Sequence, residues 1–225
     1  MIADFDNIPE LPVIFGPAKQ VAYVVEDIDA AMKRWGDDYC VGPFMVARHQ
    51  LPLSNAYYRG SKAEPARINL AFAYVGDMQL ELIELIGNPP SLYQEALDRK
   101  QTDVHHYAVC VDDFPEAYNW ALDNGFDAVV DAGVDGLARM SYLEDPESGL
   151  ILEVIQWNAL TKPYFEGLQR LVKSADKSAH VHEFKLADIT PKVAVFIQLI
   201  KYTLKQALGM NTLTRRPVST ESPAR

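Results

Sequence analysis

The sequence predicts an α+β fold made of two βαβββ modules in tandem and a helical C-terminal extension. Three observations carry that reading. First, Gln20-Val-Ala-Tyr-Val-Val-Glu-Asp-Ile-Asp-Ala-Ala-Met and His106-Tyr-Ala-Val-Cys-Val-Asp-Asp-Phe-Pro-Glu-Ala-Tyr are copies of one pattern: a metal-capable residue, an apolar run, two acids and a helical segment. Second, Leu80-Glu81-Leu82-Ile83 and Leu152-Glu153-Val154-Ile155 close the copies in the same order. Third, the pattern stops after Trp157, where helical spacing takes over.

Residues 1–18 are an N-terminal segment. The first module with its linker helix spans 19–100. It opens on the strand headed by Gln20. A helix follows from Ile28 to Trp35, with Gly36 expected to stop it. Pro43 to His49 and Arg67 to Val75 are strand-like, and Gly76-Asp77 makes a tight turn into the Glu81 strand. Tyr57-Tyr58-Arg59 falls in a loop before the third strand. Ser91 to Lys100 is a short helix with Ser91 as N-cap.

The second module spans 101–157. His106 heads its first strand, Pro115 suits a first helical position and Asn124-Gly125 a helix stop. Phe126 to Val130, Leu137 to Glu144 and Leu150 to Gln156 are strands, the last two joined by the turn Asp145-Pro-Glu-Ser-Gly. The extension, 158–225, begins with a helix over Asn158 to Lys173. A polar linker from Ser174 to Glu183 follows, then an amphipathic helix from Pro191 to Leu208 and a mobile tail. The apolar face of Val193, Phe196, Ile197, Ile200 and Leu204 is too wide to stand in water. It is expected to dock on the protein, to help close the site or to form a dimer.

Composition narrows the function. The 225 residues carry 31 acids against 21 bases, a formal charge of −10. A basic footprint for nucleic acid is missing. No run free of Asp, Glu, Lys and Arg exceeds ten residues, whereas a membrane-spanning helix needs ~20 apolar ones. The N-terminus lacks the basic and apolar regions of a secretory signal, and two cysteines, Cys40 and Cys110, build no disulfide scaffold. A cytoplasmic location is expected.

Side chains alternate along a strand, so Gln20, Glu81, His106 and Glu153 project from strands that are otherwise apolar. A carboxylate is costly to bury alone. These four strands contain no arginine, and a divalent cation would compensate both glutamates. One nitrogen and three oxygen donors suit one ion of Zn, Mn, Co, Ni or Fe. His105 should point away from His106, as a structural or surface residue. His180 and His182, in the polar linker, read as solvated, and Cys110 as a small core residue.

With these strings in hand, the sequence resembles the vicinal oxygen chelate superfamily, which includes glyoxalases, methylmalonyl-CoA epimerase, extradiol dioxygenases and bleomycin-resistance proteins. The resemblance runs from about Lys19 to Gln156. It is carried by Gln20-Val-Ala-Tyr-Val-Val-Glu-Asp, Gln79-Leu-Glu-Leu-Ile-Glu, Val104-His-His-Tyr-Ala-Val-Cys-Val-Asp-Asp and Asp145-Pro-Glu-Ser-Gly-Leu-Ile-Leu-Glu. It implies a cupped, eight-stranded mixed sheet around one divalent metal ion. The family's ligand positions fall on Gln20, Glu81, His106 and Glu153, with Glu153 as catalytic base and Glu81 second.

Departures from the family pattern narrow this. The basic residues and the Asn that clamp glutathione in glyoxalase I are replaced here by Val24, Thr102 and Leu85. The extra glutamate of the epimerases has no counterpart on the strand Arg67 to Val75, where Asn69 lies near the place. Extradiol dioxygenases use two His and one Glu, and this set holds one His.

The expected function is a divalent-metal-dependent, glyoxalase-like enzyme. It would transfer a proton next to a metal-chelated oxygen of a small organic substrate, as an isomerase, epimerase or lyase. A non-catalytic binding protein of the same fold and an extradiol-type dioxygenase are the alternatives. Candidate substrate-binding residues are Tyr57, Tyr58, Arg59, Asn69, Met140 and Tyr142. Beside the small Ala22 and Ala108 they suit a bulky, partly apolar molecule with vicinal oxygens. A homodimer is the expected assembly.

Overall fold

A computed structural model describes residues 11–50, 56–64, 66–134, 138–185 and 189. The predicted helix from Pro191 to Leu208 and its tail lie outside the described residues. In chain order the elements are β1 (Gln20–Val25), α1 (Ile28–Tyr39), β2 (Phe44–Gln50), β3 (Tyr57–Tyr58), β4 (Ser61–Lys62), β5 (Ile68–Val75), β6 (Met78–Leu85) and α2 (Leu92–Asp98). Then come β7 (His106–Val111), α3 (Phe114–Asp123), β8 (Asp127–Val134), β9 (Ala138–Glu144), β10 (Ile151–Gln156), α4 (Thr161–Ser174) and β11 (Val181–Glu183). A 3-10 turn, Val13–Phe15, precedes β1.

The α+β architecture agrees with the prediction. The strands form one sheet in the order β11-β2-β5-β6-β1-β7-β10-β9-β8-β3-β4. At its centre β1 and β7 run antiparallel. Each is flanked on its other side by a parallel strand that closes its own module, β6 or β10. Both modules therefore pair their strands in the same way.

Three short strands join the eight expected ones. Tyr57 and Tyr58, read as loop, pair with Asp131 and Val130 of β8 and form a hairpin with β4. Part of the supposed polar linker, β11, pairs in parallel with the edge strand β2. The backbone of β2 had open donors and acceptors, and His180 O and Phe184 N take two of them at 2.8 and 3.1 Å. The side chain of Glu183 adds an ion pair to Arg48 at 3.0 Å.

The face turned away from the cup buries two helices. Val21, Tyr23, Leu80 and Leu82 pack on Ile28, Met32 and Trp35 of α1. In the other half, Val109, Val111, Leu152 and Val154 pack on Phe114, Ala117 and Ala121 of α3, with Phe15 from the 3-10 turn. Asp27 caps α1 by accepting from Asp29 N and Ala30 N, both at 2.9 Å. Asp113 caps α3 through Glu116 N at 3.0 Å, with Pro115 in the first turn.

Gly36 does not stop α1, which continues to Tyr39 and ends on Cys40 in the left-handed region (φ 55°). The glycine serves packing instead. The His180 ring lies against it, and a Cβ on Gly36 would stand 2.2 Å from His180 Nε2. That nitrogen donates to Met32 O at 3.0 Å, and the ring meets Phe44 edge-on. His180 thus latches the extension to the first module through its ring, while the residue as a whole stays exposed.

The extension covers part of the opposite, concave face. Leu168 and Val172 of α4 pack on Met45 and Phe72, with Ile189 beside them. Burying five such side chains contributes roughly 1.5–3 kcal/mol each before ordering costs. Asn158 does not begin the helix but starts its turn, accepting from Leu160 N and Thr161 N. Among the described residues no helix is long and apolar enough to cross a membrane.

Candidate metal and substrate site

The register of the central strands brings the four predicted donors together. Ala22 lies opposite both Glu81 on β6 and His106 on β7. Ala108 lies opposite both Gln20 on β1 and Glu153 on β10. Residues opposite each other share a face, so the donors occupy two adjacent rows with an alanine at the middle of each. Both alanines are fully buried. Their methyl groups leave room between the longer side chains.

His106 Nε2 stands 3.4 Å from Glu153 Oε2 and 3.8 Å from Glu81 Oε2. None of the four donors is more than 7% exposed. Surrounding residues aim them. Gln20 Nε2 donates to Gln79 Oε1 at 2.8 Å, and Gln79 Nε2 donates to Tyr74 Oη at 2.6 Å. Tyr74 in turn donates to Phe165 O at 3.3 Å. This chain fixes the Gln20 amide and leaves its Oε1 without a partner.

On the other side His106 Nδ1 meets His105 Nδ1 at 2.9 Å, and His106 Nε2 has no hydrogen-bond partner. His105 was expected on the opposite face. It lies just before β7 begins, outside the strand's alternation, with its N–H on Ala22 O at 2.8 Å. Its ring is buried edge-on against His106. Burial, then the neighbouring His106, pushes the His105 ring down to about 3. At neutral pH it is therefore a neutral partner, and a proton on His106 Nδ1 leaves the Nε2 lone pair facing the carboxylates.

Charge in the site is one-sided. Burial first, and the adjacent Glu153 carboxylate second, hold the Glu81 carboxyl well above its usual range, with the Gln20 amide drawing it partly back. The charged residues lining the cavity, among those described, are Glu64, Glu81 and Glu153. The side chains are not drawn into a closed coordination sphere, and no group of three or more His, Cys, Asp or Glu does so among the described residues. Still, two buried unpartnered atoms, two carboxylates and a donor set of one nitrogen and three oxygens fit a divalent ion of borderline hardness.

Above these residues lies a cavity of ≈ 370 Å³, within the ~300–1,000 Å³ range of small-molecule sites. Tyr57, Tyr58, Met140 and Tyr142, four of the substrate-binding candidates, line it. Asn69 and Arg59 do not. Phe72 is the β5 residue opposite Glu81, so even-numbered residues of β5 face the cup and Asn69 faces away. Its polar groups are taken by His49 N at 2.8 Å and by Glu84. Arg59 is turned to Glu95, at 2.7 and 2.8 Å, and to Glu144 at 3.2 Å.

Sequence reasoning missed Gln79, Tyr93, Tyr164 and Phe165. Gln79 had a signal, since it lies two residues before Glu81 on the same face. Tyr93 follows the N-cap Ser91, and its Oη meets Tyr142 Oη at 2.9 Å. Burial, then the Glu153 charge, raises both of these phenols. Cys110 is only partly buried, and burial pushes its thiol up to about 12.

A family model described as "Glyoxalase/Bleomycin resistance protein/Dioxygenase superfamily" matches residues 19–142. That span holds Gln20, Glu81 and His106; Glu153 lies just beyond it. No curated protein matches the chain significantly. Similar solved structures include a hypothetical protein from Bacillus halodurans C-125, with 16% identity over 63% of this chain and 94% of that one, TM-score 0.45. Another is methylmalonyl-CoA epimerase from Mycobacterium tuberculosis, with 16% identity over 65% of this chain and 92% of that one, TM-score 0.45.

Proposed function

The chain belongs to the glyoxalase/bleomycin resistance protein/dioxygenase superfamily, and on that premise we propose a divalent-metal-dependent enzyme that moves a proton beside a substrate oxygen, as an isomerase, epimerase or lyase. The observation that carries this is the convergence of Gln20, Glu81, His106 and Glu153 around unpartnered Gln20 Oε1 and His106 Nε2.

These four residues would hold the ion. When bound, such an ion supplies a Lewis acid that offsets negative charge developing on a chelated oxygen. The chain supplies the rest. Glu153 lines the cavity and takes the proton from the substrate carbon, with Glu81 as the second carboxylate. Gln79 and His105 hold Gln20 and His106 in orientation. Ile83 and Ile155, two residues beyond the glutamates on the same strands, give the cavity apolar walls there.

General-base catalysis contributes about 10²–10⁴-fold. Glu153→Gln should therefore keep the ion and lose that much of the exchange of solvent deuterium into the α-carbon of 2-hydroxy ketones and 2-oxo aldehydes. Equal exchange by the two proteins would remove Glu153 as the base. The aromatic lining also favours a second reading, a non-catalytic binder of the same fold. Tight binding of such compounds with no exchange in the wild type would support it.

A further inference from the structure

We propose that the Tyr93–Tyr142 hydroxyl pair is a specificity element of this site, presenting one O–H to an oxygen of the small molecule that occupies the cup beside Glu153. The proposal rests on reading the cup as a site for an ion and a chelating ligand. Tyr142 on β9 lies directly opposite Glu153 on β10. Tyr93 comes from the other wall, on α2, where Ser91 caps the helix and Leu92 and Ala96 pin it by burial. Their oxygens are 2.9 Å apart, and both residues line the cavity.

The proton count gives the pair its function. Two phenols carry two protons. One lies between the oxygens, and the other has no acceptor among the described residues. The four residues below give a ligand oxygen no such donor in turn, since the carboxylates and the Gln20 carbonyl only accept. The free O–H is thus the donor on this wall of the cup. A buried donor without a partner is costly, and a ligand oxygen relieves that cost. Both rings are held in position by their neighbours. Tyr142 meets His106 edge-on with centroids 5.0 Å apart, and Tyr93 leans on His105 at 5.6 Å. The first phenol's bond polarises the second, which strengthens the outward donation. The pair therefore selects a ligand whose oxygen carries negative charge, and gives little to a ligand without an acceptor there.

The test uses the full chain loaded with zinc, as wild type, Tyr93→Phe, Tyr142→Phe and the double variant. Two probes are titrated by calorimetry: tropolone, a flat anion with vicinal oxygens, and imidazole, whose acceptor nitrogen is spent on the zinc and whose other nitrogen only donates. All four proteins should take up equal zinc, melt alike and bind imidazole alike. Tropolone affinity should fall about 10–100-fold in the double variant, the range of a hydrogen bond to a charged acceptor. It should fall less in each single variant, because the remaining phenol still donates. Zinc uptake with tropolone affinity in the double variant within twofold of wild type would overturn the proposal. So would a parallel loss of imidazole, which would mean that the pair only shapes the cup. A wild type that takes no zinc would instead overturn the underlying reading of the site, and this proposal with it.

Discussion

His106 Nε2 lies 3.4 Å from Glu153 Oε2, buried and without a hydrogen-bond partner. The nitrogen and the carboxylate face each other across a gap that two alanines keep open. A proton on Nε2 would answer one carboxylate only. A divalent ion would answer the nitrogen, the Gln20 carbonyl and both carboxylates, and this difference sets what the variants should do.

Replacing His106 by Ala should abolish stabilisation by zinc. An ion at one hundred times its dissociation constant raises stability by ~2.7 kcal/mol, worth about 2–4 °C of melting temperature per kcal/mol for a chain of this size. Thermal melts with and without zinc should separate for the wild type and coincide for His106→Ala. A shift of equal size in both would place the ion elsewhere.

Glu81 sets a dependence on pH with a definite sign. Its folded carboxyl is raised by burial and by Glu153. Its contribution to stability is complete below the usual carboxylate range and is lost as pH rises through the folded value. His105 acts the other way: its folded value, about 3, lies below the usual one, so its contribution holds above about 6.5 and is lost as pH falls toward 3. Glu81→Gln should therefore raise the melting temperature of the metal-free protein at pH 8. A lower melting temperature at pH 8 would contradict the assignment of Glu81 as an uncompensated buried acid.

Gln79 touches no part of the cavity's ion-facing donor set except through Gln20. Loss of such an outer partner costs about 10–100-fold in metal affinity, so Gln79→Ala should weaken zinc binding by that factor. Competition with a chromogenic chelator measures it, and unchanged affinity would show that the Gln20 amide needs no holding.

Gly36→Ala separates helix propensity from packing. Propensity alone predicts a gain of about 1 kcal/mol in a helix interior. The His180 ring predicts a loss of roughly 1–3 kcal/mol from overpacking. Urea melts should show the loss, and His180→Ala should relieve it in the double variant.

Strand periodicity made much of this site legible. Gln20, Glu81, His106 and Glu153 stood out because a polar residue on an apolar strand breaks a period of two. The same rule, applied to β5 from its pairing with β6, would have turned Asn69 away from the cup. That pairing is tertiary, and the string Ile68–Val75 alone does not reveal which parity faces inward. Val181-His182-Glu183 carried no strand signal because a three-residue edge strand, with Val181 and Glu183 exposed and only His182 half-buried, has no apolar alternation. Arg59 looked like a substrate contact because its partners, Glu95 and Glu144, are distant in sequence. Gly36 read as a helix stop because its other use, making room for His180, depends on a segment far along the chain.

The most direct measurement is the metal content of the chain purified without chelator and then dialysed. We expect about one divalent ion per chain, with none in His106→Ala. X-ray absorption at the metal edge should find one nitrogen and three oxygen protein ligands at roughly 2.0–2.2 Å. A wild type that retains no ion and takes up none from micromolar zinc, or an ion equally held by the His106 variant, would contradict the account.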